Sequence, residues 1–423
     1  MATKRKPKPI RRLYTADNLS VLRCIDSGTV DLIYLDPPFN SGKQWEKPIG
    51  KGNSRAFAHF KDTWELSDTH ADEEYALSLS YPETIPLIDA LHTINGGSWK
   101  AYLIYMGARL AEMRRVLKPN GSIYYHCDPV MSHGVKLLMD AIFGGNKFTN
   151  EIVWYYSNAS RGKNKFAKSH DVLLWYGKSQ RVVFNRNELL MPFASGMTEW
   201  RYTKGGQQGK PMPKGKTPDD VITMPSLNAM SKERTGYPTQ KPLALLKKIV
   251  KASSQKGDLV LDPFCGCATT CLAAEFLERQ WVGIDLAEEA ATLVHDRLQK
   301  EGEGLKNVTA YKVEHLRNLP KRTDIGGKRS DNAVLKPRLY KMQNKKCIGC
   351  EKETRIGLMD FDHIIAKSRG GQDTDDNIQL LCGTCNSVKG DRGMHYLWRK
   401  ILERRTEEKM REYEEKRRKS AGR

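Results

Sequence analysis

Short apolar runs alternate with segments of helical period along most of the chain. Val30 to Leu35 and Ser122 to Cys127 have the composition of buried strands, and Ala101 to Leu117 has the spacing of an amphipathic helix. The turn residues of Lys118-Pro-Asn-Gly121 separate that helix from the strand that follows it. Helices placed between short apolar strands predict an α/β fold in which helices cover both faces of the sheet.

A strand, a turn and a helix follow one another again later in the chain, after a predicted helix at Leu243 to Ala252. The apolar residues before Asp262 predict a strand that ends at this acid, the chain turns at Gly266, and a helix begins at about Thr269. The next predicted strand ends at Asp285, about 20 residues beyond the turn glycine. Glycine lets the backbone approach a ligand closely, and an acid at this spacing can hydrogen-bond ribose hydroxyls. The pattern therefore predicts a nucleoside-binding βαβ unit.

Two regions interrupt this alternation. Residues 40–100 are poor in regular pattern and rich in Gly, Ser, His and Trp, and we interpret them as a long irregular insertion that covers a bound base or lines DNA. Residues 151–236 interleave basic and aromatic side chains, which suits contact with phosphates and bases and makes them a candidate target-recognition region. Within this region Trp154 and Trp175 lie in strand-like runs, which favours an ordinary core position for both.

Length and charge narrow the class of protein. A chain of 423 residues exceeds one ordinary core and predicts two to three domains. The 70 Lys and Arg residues outnumber the 50 Asp and Glu residues, so the net charge of +20 suits a polyanionic partner such as DNA. Residues 1–12 form a basic arm without the apolar core of a signal peptide, and no run approaches the roughly 18 apolar residues of a membrane helix. We therefore expect a cytoplasmic protein with no membrane partner.

The motif Asp36-Pro37-Pro38-Phe39 closes the first predicted strand and favours a specific chemistry. The exocyclic amine of adenine or cytosine is a poor nucleophile, because its lone pair is delocalised into the ring. Asp36 and the carbonyl of Pro37 can accept its protons while the nitrogen attacks a sulfonium methyl, and Phe39 can stack on a base rotated out of the duplex. Alone, these residues also suit a rigid turn at a strand end. The nucleoside-binding unit in the same chain favours the catalytic interpretation.

Residues 13–320 resemble the DNA amino-methyltransferases of the beta group, in which the Asp-Pro-Pro-aromatic motif precedes the Phe-x-Gly motif. The resemblance implies a Rossmann-like methyltransferase sheet, S-adenosylmethionine as cofactor and double-stranded DNA as substrate. It also implies that the residues around the cofactor are Gln240, Lys241, Asp262, Phe264, Gly266 and Asp285, the last of which holds the ribose.

The chain departs from that family at two positions and matches it at a third. Ala268 stands where a second glycine is common, and Phe39 stands where tyrosine is common, which keeps the stacking face and loses a hydroxyl. Asp36 at the first motif position resembles mostly adenine-directed members, so the resemblance favours the adenine amino group and leaves cytosine as the alternative.

Four of the nine cysteines occur in two Cys-x-x-Cys pairs, whereas the other five lie among apolar or glycine-rich neighbours. The paired residues are Cys347, Cys350, Cys382 and Cys385. Four thiolates at this spacing suit a closed tetrahedral zinc site, which would stabilise a module too small to be held by apolar burial alone.

The residues around the cysteine pairs resemble a zinc-ribbon HNH endonuclease and imply a small zinc-bound ββα HNH domain. The resemblance rests on Asp362, His363, Gly370, Gly371, Asn377 and Asn386. It implies that His363 is the general base, that Asp362 and Asn386 bind a catalytic divalent metal such as magnesium, and that Asn377 orients the loop carrying His363. Ala366 departs from the proline that is usual in that family.

The sequence thus predicts two enzymatic modules in one chain. Its segments are a basic arm at 1–12, a methyltransferase domain at 13–320, a linker at 321–340, an HNH domain at 341–397 and a charged helix at 398–423. Three functions remain open: a restriction-modification enzyme or nicking methylase with both modules active, a methyltransferase whose HNH module is only a DNA-binding clamp, and a non-enzymatic DNA-binding protein. The intact HNH residues and the two methyltransferase motifs favour the first. Homodimerisation is also left open.

Overall fold

The computed structural model divides the chain into two compact units. It describes residues 10–42, 44–49, 56–156, 164, 166–192, 200–202, 208–211, 215–228, 230–237, 239–287, 293–294, 296–298, 314–324 and 329–421. The first unit takes its residues from Met1–Asn18, Ser27–Trp64 and Met113–Asn318, and the second from Leu19–Asp26, Glu65–Glu112 and Leu319–Arg423. Within the described ranges, no helix is both long and apolar enough to cross a bilayer.

Nine strands of the first unit form one sheet. They are β1 (Arg11–Thr15), β2 (Val30–Leu35), β5 (Leu117–Cys127), β6 (Phe148–Tyr155), β7 (His170–Gly177), β10 (Val221–Thr223), β11 (Leu259–Asp262), β12 (Gln280–Asp285) and β13 (Glu314–Leu316). Their order is β10-β6-β7-β5-β2-β11-β12-β1-β13. Only β7 runs antiparallel to its neighbours in this sheet. Two separate hairpins pair β3 (Gln44–Ile49) with β4 (Ala56–Lys61) and β8 (Trp200–Tyr202) with β9 (Gln208–Pro211).

Helices connect these strands, and the predicted α/β class is confirmed. The helices of the described residues are α1 (Asn18–Cys24), α2 (Asp68–Ser80), α3 (Thr84–Asn95), α4 (Gly97–Val116), α5 (Ser132–Phe143), α6 (Leu243–Ser253), α7 (Thr269–Phe276), α8 (Asn332–Met342), α9 (Gly383–Lys389) and α10 (Met394–Ala421). A largely parallel sheet needs such helical crossovers, because parallel neighbours cannot be joined by a tight turn.

The core of the first unit lies on the central strands. Every residue of β2 is buried, as expected for a strand paired on both sides. Trp154 and Trp175 are both buried, and the Trp175 ring stacks on Tyr124 with the ring centroids 5.2 Å apart. The predicted core position of the two tryptophans is therefore confirmed.

The second unit contains a small ββα motif. β14 (Met359–His363) pairs antiparallel with β15 (Ile378–Cys382), and α9 follows directly. An apolar cluster around this hairpin includes Cys347, Leu380 and Leu397. The ββα arrangement predicted from the HNH resemblance is confirmed.

The predicted linker at 321–340 is wrong over its second half, because α8 begins at Asn332. The Asp331 side chain caps this helix by accepting a hydrogen bond from the Ala333 amide at 2.8 Å. Leu335 and Leu339, four residues apart on one helix face, are buried in the apolar cluster of the ββα motif. This packing stabilises a helix whose sequence is mostly polar.

The predicted irregular insertion at 40–100 is also corrected. Its described part contains the β3–β4 hairpin and helices α2 and α3. The predicted domain boundaries differ as well, because Leu19–Asp26 and Glu65–Glu112 group with the C-terminal part of the chain instead of with the sheet. Tyr75 of α2 packs edge-on against His395 and Trp398 of α10, with ring centroids 5.4 and 5.9 Å apart, and such contacts are invisible to local pattern.

Both ends of the chain show smaller differences. Arg11 and Arg12, predicted in the basic arm, belong to β1, because β12 and β13 offer paired backbone partners on both sides. Residues 1–9 of that arm lie outside the described residues. The predicted charged helix at 398–423 is confirmed as far as Ala421 and begins earlier, at Met394, whereas residues 422 and 423 lie outside the described residues.

Candidate active site

The predicted site residues of the first unit meet at one edge of the sheet. β2 and β11 are neighbours, and the sheet continues from β2 to β5 on one side and from β11 to β12 on the other. Such a change in strand order opens a crevice at the carboxyl ends of parallel strands, where ligands bind. Asp36 directly follows β2 and Asp262 ends β11, so both acids lie at this crevice.

Asp36 is held at one carboxylate oxygen and lacks a hydrogen bond at the other. Its Oδ2 accepts a hydrogen bond from Lys241 Nζ at 2.6 Å. Its Oδ1 is buried and has no hydrogen-bond partner among the described residues. A buried acceptor without a donor is costly, and Oδ1 is therefore available to accept a hydrogen bond from a ligand. In the same motif Pro37 is buried, and Pro38 and Phe39 are half-buried.

The Phe39 ring lies on the ring of His126. The ring centroids are 6.0 Å apart and the planes are inclined by 25°. His126 is fully buried, with Nδ1 2.7 Å from the Tyr34 hydroxyl and Nε2 3.1 Å from Asp171 Oδ2. Tyr156 donates to the other oxygen of Asp171 at 2.9 Å. A tautomer of His126 with its hydrogen on Nε2 satisfies both ring nitrogens. The hydrogen bonds to Tyr34 and Asp171 therefore fix the His126 ring on which Phe39 lies.

Asp62 holds the segment that follows the motif. Its carboxylate accepts hydrogen bonds from the Asn40 amide at 2.7 Å and from the Ser41 amide at 2.8 Å. Asn40 has φ of +57°, in the left-handed region, and the Asp62 bonds stabilise this conformation. Neither Asp62 nor His126 was predicted as a site residue from the sequence. A local signal existed only for His126, a polar residue inside the apolar run of β5.

The neighbouring acid, Asp262, is buried and easily protonated. Burial raises the pKa of Asp262 to about 7. Hydrogen bonds from Thr270 and from the Phe264 amide lower this pKa, and the charges of Asp36 and Asp285 raise it again. The net effect places the titration of this carboxyl close to neutral pH.

Asp262→Asn should therefore change how stability depends on pH. Because burial raises the pKa of Asp262 from its ordinary value of 3.8 to about 7 in the folded protein, the folded wild type binds more protons between these values. The contribution of Asp262 to the free energy of unfolding therefore falls as the pH rises from 3.8 to about 7. We expect Asp262→Asn to melt at a higher temperature than wild type at pH 8, and the difference to shrink or reverse at pH 5. Melting curves at both pH values test this, and an unchanged difference would contradict the raised pKa.

The glycine turn and the predicted ribose acid are in direct contact. The Gly266 amide donates to Asp285 Oδ2 at 2.8 Å. Gly266 has φ of +48°, and a Cβ added there would lie 2.9 Å from the Tyr237 ring, so the position requires glycine. Ala268 also has a left-handed φ, +54°, which is the physical reason that glycine suits that position. Phe264 is half-buried beside this turn.

Gln240 and Lys241, which the resemblance places beside the cofactor, both have contacts within the chain. Gln240 Oε1 accepts from the Thr235 amide, and Gln240 Nε2 donates to the Glu233 carbonyl at 2.9 Å. The Gln240 side chain therefore joins the two ends of the loop from Glu233 to Gln240. The neighbouring Lys241 forms an ion pair with Asp36.

The sequence that carries this site matches a known family. Residues 30–296 match the N6/N4 methyltransferase model, which is described as DNA methylase. The chain belongs to the DNA methylase family. The match spans both the Asp36 motif and the Gly266 turn.

Individual relatives of this methylase are distant. The type II methyltransferase M.HpaI of Haemophilus parainfluenzae is 25% identical over 70% of this chain and 77% of its own length. The DNA adenine methyltransferase YhdJ of Escherichia coli K12 is 27% identical over 76% of this chain and 92% of its own length. Among solved structures, the cytosine-N4-specific PvuII DNA methyltransferase aligns with a TM-score of 0.44 and 14% identity, covering 73% of this chain and 95% of that one.

The second unit of the methylase gathers the four paired cysteines. The sulfur atoms of Cys347, Cys350, Cys382 and Cys385 all lie within 4.8 Å of one another. Sulfurs about 3.8 Å apart are expected around a tetrahedral zinc ion with Zn–S bonds of about 2.3 Å, so this cluster fits the ion. Within the described ranges it is the one group of three or more His, Cys, Asp or Glu residues arranged to hold a metal.

His363 ends β14 beside an acid that the sequence analysis missed. His363 Nε2 lies 2.9 Å from Asp373 Oδ1. Asn377 accepts a hydrogen bond from the Ile365 amide at 2.9 Å and donates to the Gln372 carbonyl at 2.8 Å. The amide of Asn377 thus joins the two ends of the loop that follows His363.

The two predicted ligands of a catalytic metal have other contacts. Asp362 is buried and accepts from Lys389 Nζ at 3.1 Å and from Gln379 Nε2 at 2.8 Å. Asn386 Nδ2 lies 3.4 Å from Asp360 Oδ2. The charge of Asp362 is therefore compensated by a fully buried lysine, which the sequence analysis also missed.

This unit also matches a known family. Residues 347–392 match the model described as HNH endonuclease, and the C-terminal module is an HNH domain. The match includes all four cysteines, His363 and Asn377.

Proposed function

We propose that this methylase transfers a methyl group from S-adenosylmethionine to the exocyclic amino group of adenine in double-stranded DNA. The observation that carries the proposal is the buried, unbonded Oδ1 of Asp36, at the crevice between β2 and β11. A carboxylate oxygen in this position can accept a hydrogen bond from an amino group, and the glycine turn lies on the neighbouring strand.

The residues of the chain have separate roles in this proposal. Asp36 Oδ1 and the Pro37 carbonyl accept hydrogen bonds from the two amino N–H groups, which localises the nitrogen lone pair for attack. Asp36 would take the one proton that the nitrogen loses when its new bond to the methyl group forms. Phe39, supported by His126, stacks on the base after it leaves the duplex. Asp262, Phe264, Gly266 and Asp285 hold the cofactor, whose sulfonium sulfur supplies an electrophilic methyl group.

Adenine is the preferred target for two reasons. The motif begins with Asp, which resembles mostly adenine-directed enzymes, and the relative YhdJ is a DNA adenine methyltransferase. The net charge of +20 suits the DNA backbone.

Identification of the modified base tests this proposal. DNA from cells that express the protein, or an Asp36→Ala control, is sequenced with detection of modified bases. We expect N6-methyladenine at a defined sequence with the wild type alone. N4-methylcytosine instead would overturn the choice of adenine, and unmodified DNA would overturn the methyltransferase proposal.

We further propose that the HNH domain nicks or cleaves DNA. His363 would act as general base toward water, and its contact with Asp373 fixes the ring. Asp362 and Asn386 would hold a divalent cation such as magnesium. Because Lys389 already compensates Asp362, we expect weak binding of the cation by the protein alone and tighter binding with the DNA phosphate present.

His363→Ala should abolish nicking and leave methyl transfer unchanged. Supercoiled unmethylated plasmid is incubated with wild type, His363→Ala or His395→Ala and magnesium, and relaxed and linear products are measured. His395 is a control histidine whose ring packs against Tyr75 and Trp398. Inert wild-type protein across several divalent metals would favour the DNA-binding clamp.

A further inference from the structure

Lys241 contacts both functional side chains of the catalytic motif. Its Nζ lies 2.6 Å from Asp36 Oδ2 and 5.2 Å from the centroid of the Phe39 ring. The Lys241 side chain is only 8% exposed. A buried ammonium is costly unless it is paired. The ion pair with Asp36, together with a longer hydrogen bond to the Thr239 carbonyl at 3.4 Å, compensates the charge of Lys241.

The backbone around Lys241 is held independently of the motif. Thr239 has φ of +62°, and Gln240 ties the loop back to Glu233 and Thr235. The Glu233 carboxylate accepts from the Leu243 amide at 2.7 Å, at the start of α6. Lys241 is therefore presented from a loop with fixed ends, and its ammonium has a defined position relative to β2.

An aspartate carboxylate without a paired ammonium can rotate about its Cβ–Cγ bond and present either oxygen to a ligand. Lys241 binds Oδ2 of Asp36 and leaves Oδ1 as the oxygen without a donor. A transition state is stabilised best by groups that are already oriented before the reaction begins. Fixing Oδ2 thus decides which oxygen faces the amino group.

We propose that Lys241 is a positioning residue that orients Asp36 for the target amino group, and that it is not a ligand of the cofactor. This inference rests on the proposed methyltransferase function and extends it. The methyl donor is bound by residues of the glycine turn, while Lys241 acts through Asp36.

The two roles predict different kinetic changes. In Lys241→Met the ammonium is lost and Asp36 can rotate, so we expect kcat for methyl transfer to fall by about 100-fold or more. The dissociation constant for S-adenosylmethionine should stay within about threefold of wild type, because no cofactor contact is removed. Lys241→Arg keeps a cation at Oδ2 and should recover part of kcat with the same cofactor affinity.

The control removes a lysine from a comparable ion pair on the surface. Lys256 Nζ lies 2.6 Å from Glu278 Oε1, with side chains 71% and 70% exposed. Lys256→Met makes the same chemical change and should leave both kcat and cofactor affinity unchanged.

Single-turnover methyl transfer and calorimetric cofactor binding give the two readouts for each variant. A loss of cofactor affinity of tenfold or more with kcat unchanged would overturn the inference and make Lys241 a cofactor ligand. Wild-type values in Lys241→Met would overturn it as well. If Lys241→Met does not fold, Lys241→Arg decides, because wild-type kcat with weakened cofactor binding contradicts positioning. Wild-type protein that transfers no methyl group would instead contradict the proposed function itself.

Discussion

Asp36→Ala should lower methyl transfer to DNA by at least about 1,000-fold and leave cofactor binding close to wild type. The substitution removes the buried Oδ1, which is the acceptor proposed for the amino proton, and also the partner of Lys241. The contacts at the glycine turn, between Gly266 and Asp285, do not involve Asp36. The effect should therefore appear in the chemical step.

Transfer of labelled methyl from S-adenosylmethionine to DNA measures this effect, and calorimetry measures cofactor binding. Glu278→Gln is a suitable control, because Glu278 forms an exposed ion pair with Lys256 at 2.6 Å. Asp36→Asn adds a finer test: it keeps the side-chain shape and one oxygen but removes the charge, so it should remain strongly impaired. Normal methylation by Asp36→Ala would disprove the proposed mechanism.

Removal of the metal from the cysteine cluster should unfold the HNH domain. Structural zinc contributes on the order of 10 kcal/mol to the folding of small modules of this kind. The cluster includes Cys347 and Cys385, which are buried in the same apolar core as Leu335 and Leu380. Without the ion, neighbouring thiolates would repel one another. If the cysteines are protonated instead, no metal bond links the β14–β15 hairpin to Cys347 and Cys350.

We expect one zinc ion per chain in purified protein and its loss in Cys385→Ser, with an early melting transition in that variant. Cys127→Ser is the matched control, because Cys127 is buried in β5 of the other unit. Zinc content by mass spectrometry and melting curves with and without a chelator give the readouts. A chain that melts identically with and without zinc would show that the cysteines are not a structural metal site.

Several features followed from the sequence because their causes are local. β2 runs from Val30 to Leu35 as predicted, since an uninterrupted apolar run bounded by turn residues has few other stable structures. α6 begins at Leu243 as predicted, directly after Pro242, which suits the start of a helix. The cysteine cluster was also predictable, because two Cys-x-x-Cys pairs each bring two sulfurs together locally.

Local pattern failed where tertiary packing stabilises an element. Residues 40–100 contain α2 and α3, and the sequence of α2 lacks a clear apolar face. α8 replaces half of the predicted linker, because Leu335 and Leu339 find a core that the local sequence does not contain. The residues next to these leucines in the sequence are mostly polar, so the local sequence did not predict that they are buried.

The sequence by itself determined the chemistry that the chain has available: the Asp36 motif, the Gly266 turn with Asp285, and the cysteine pairs. The tertiary structure alone decided how these groups are oriented. Lys241 reaches Asp36 across 205 residues of sequence, and His126 reaches Phe39 from another strand. Residue type and short-range spacing fix what a side chain can do, whereas the order of strands in the sheet fixes which side chains meet.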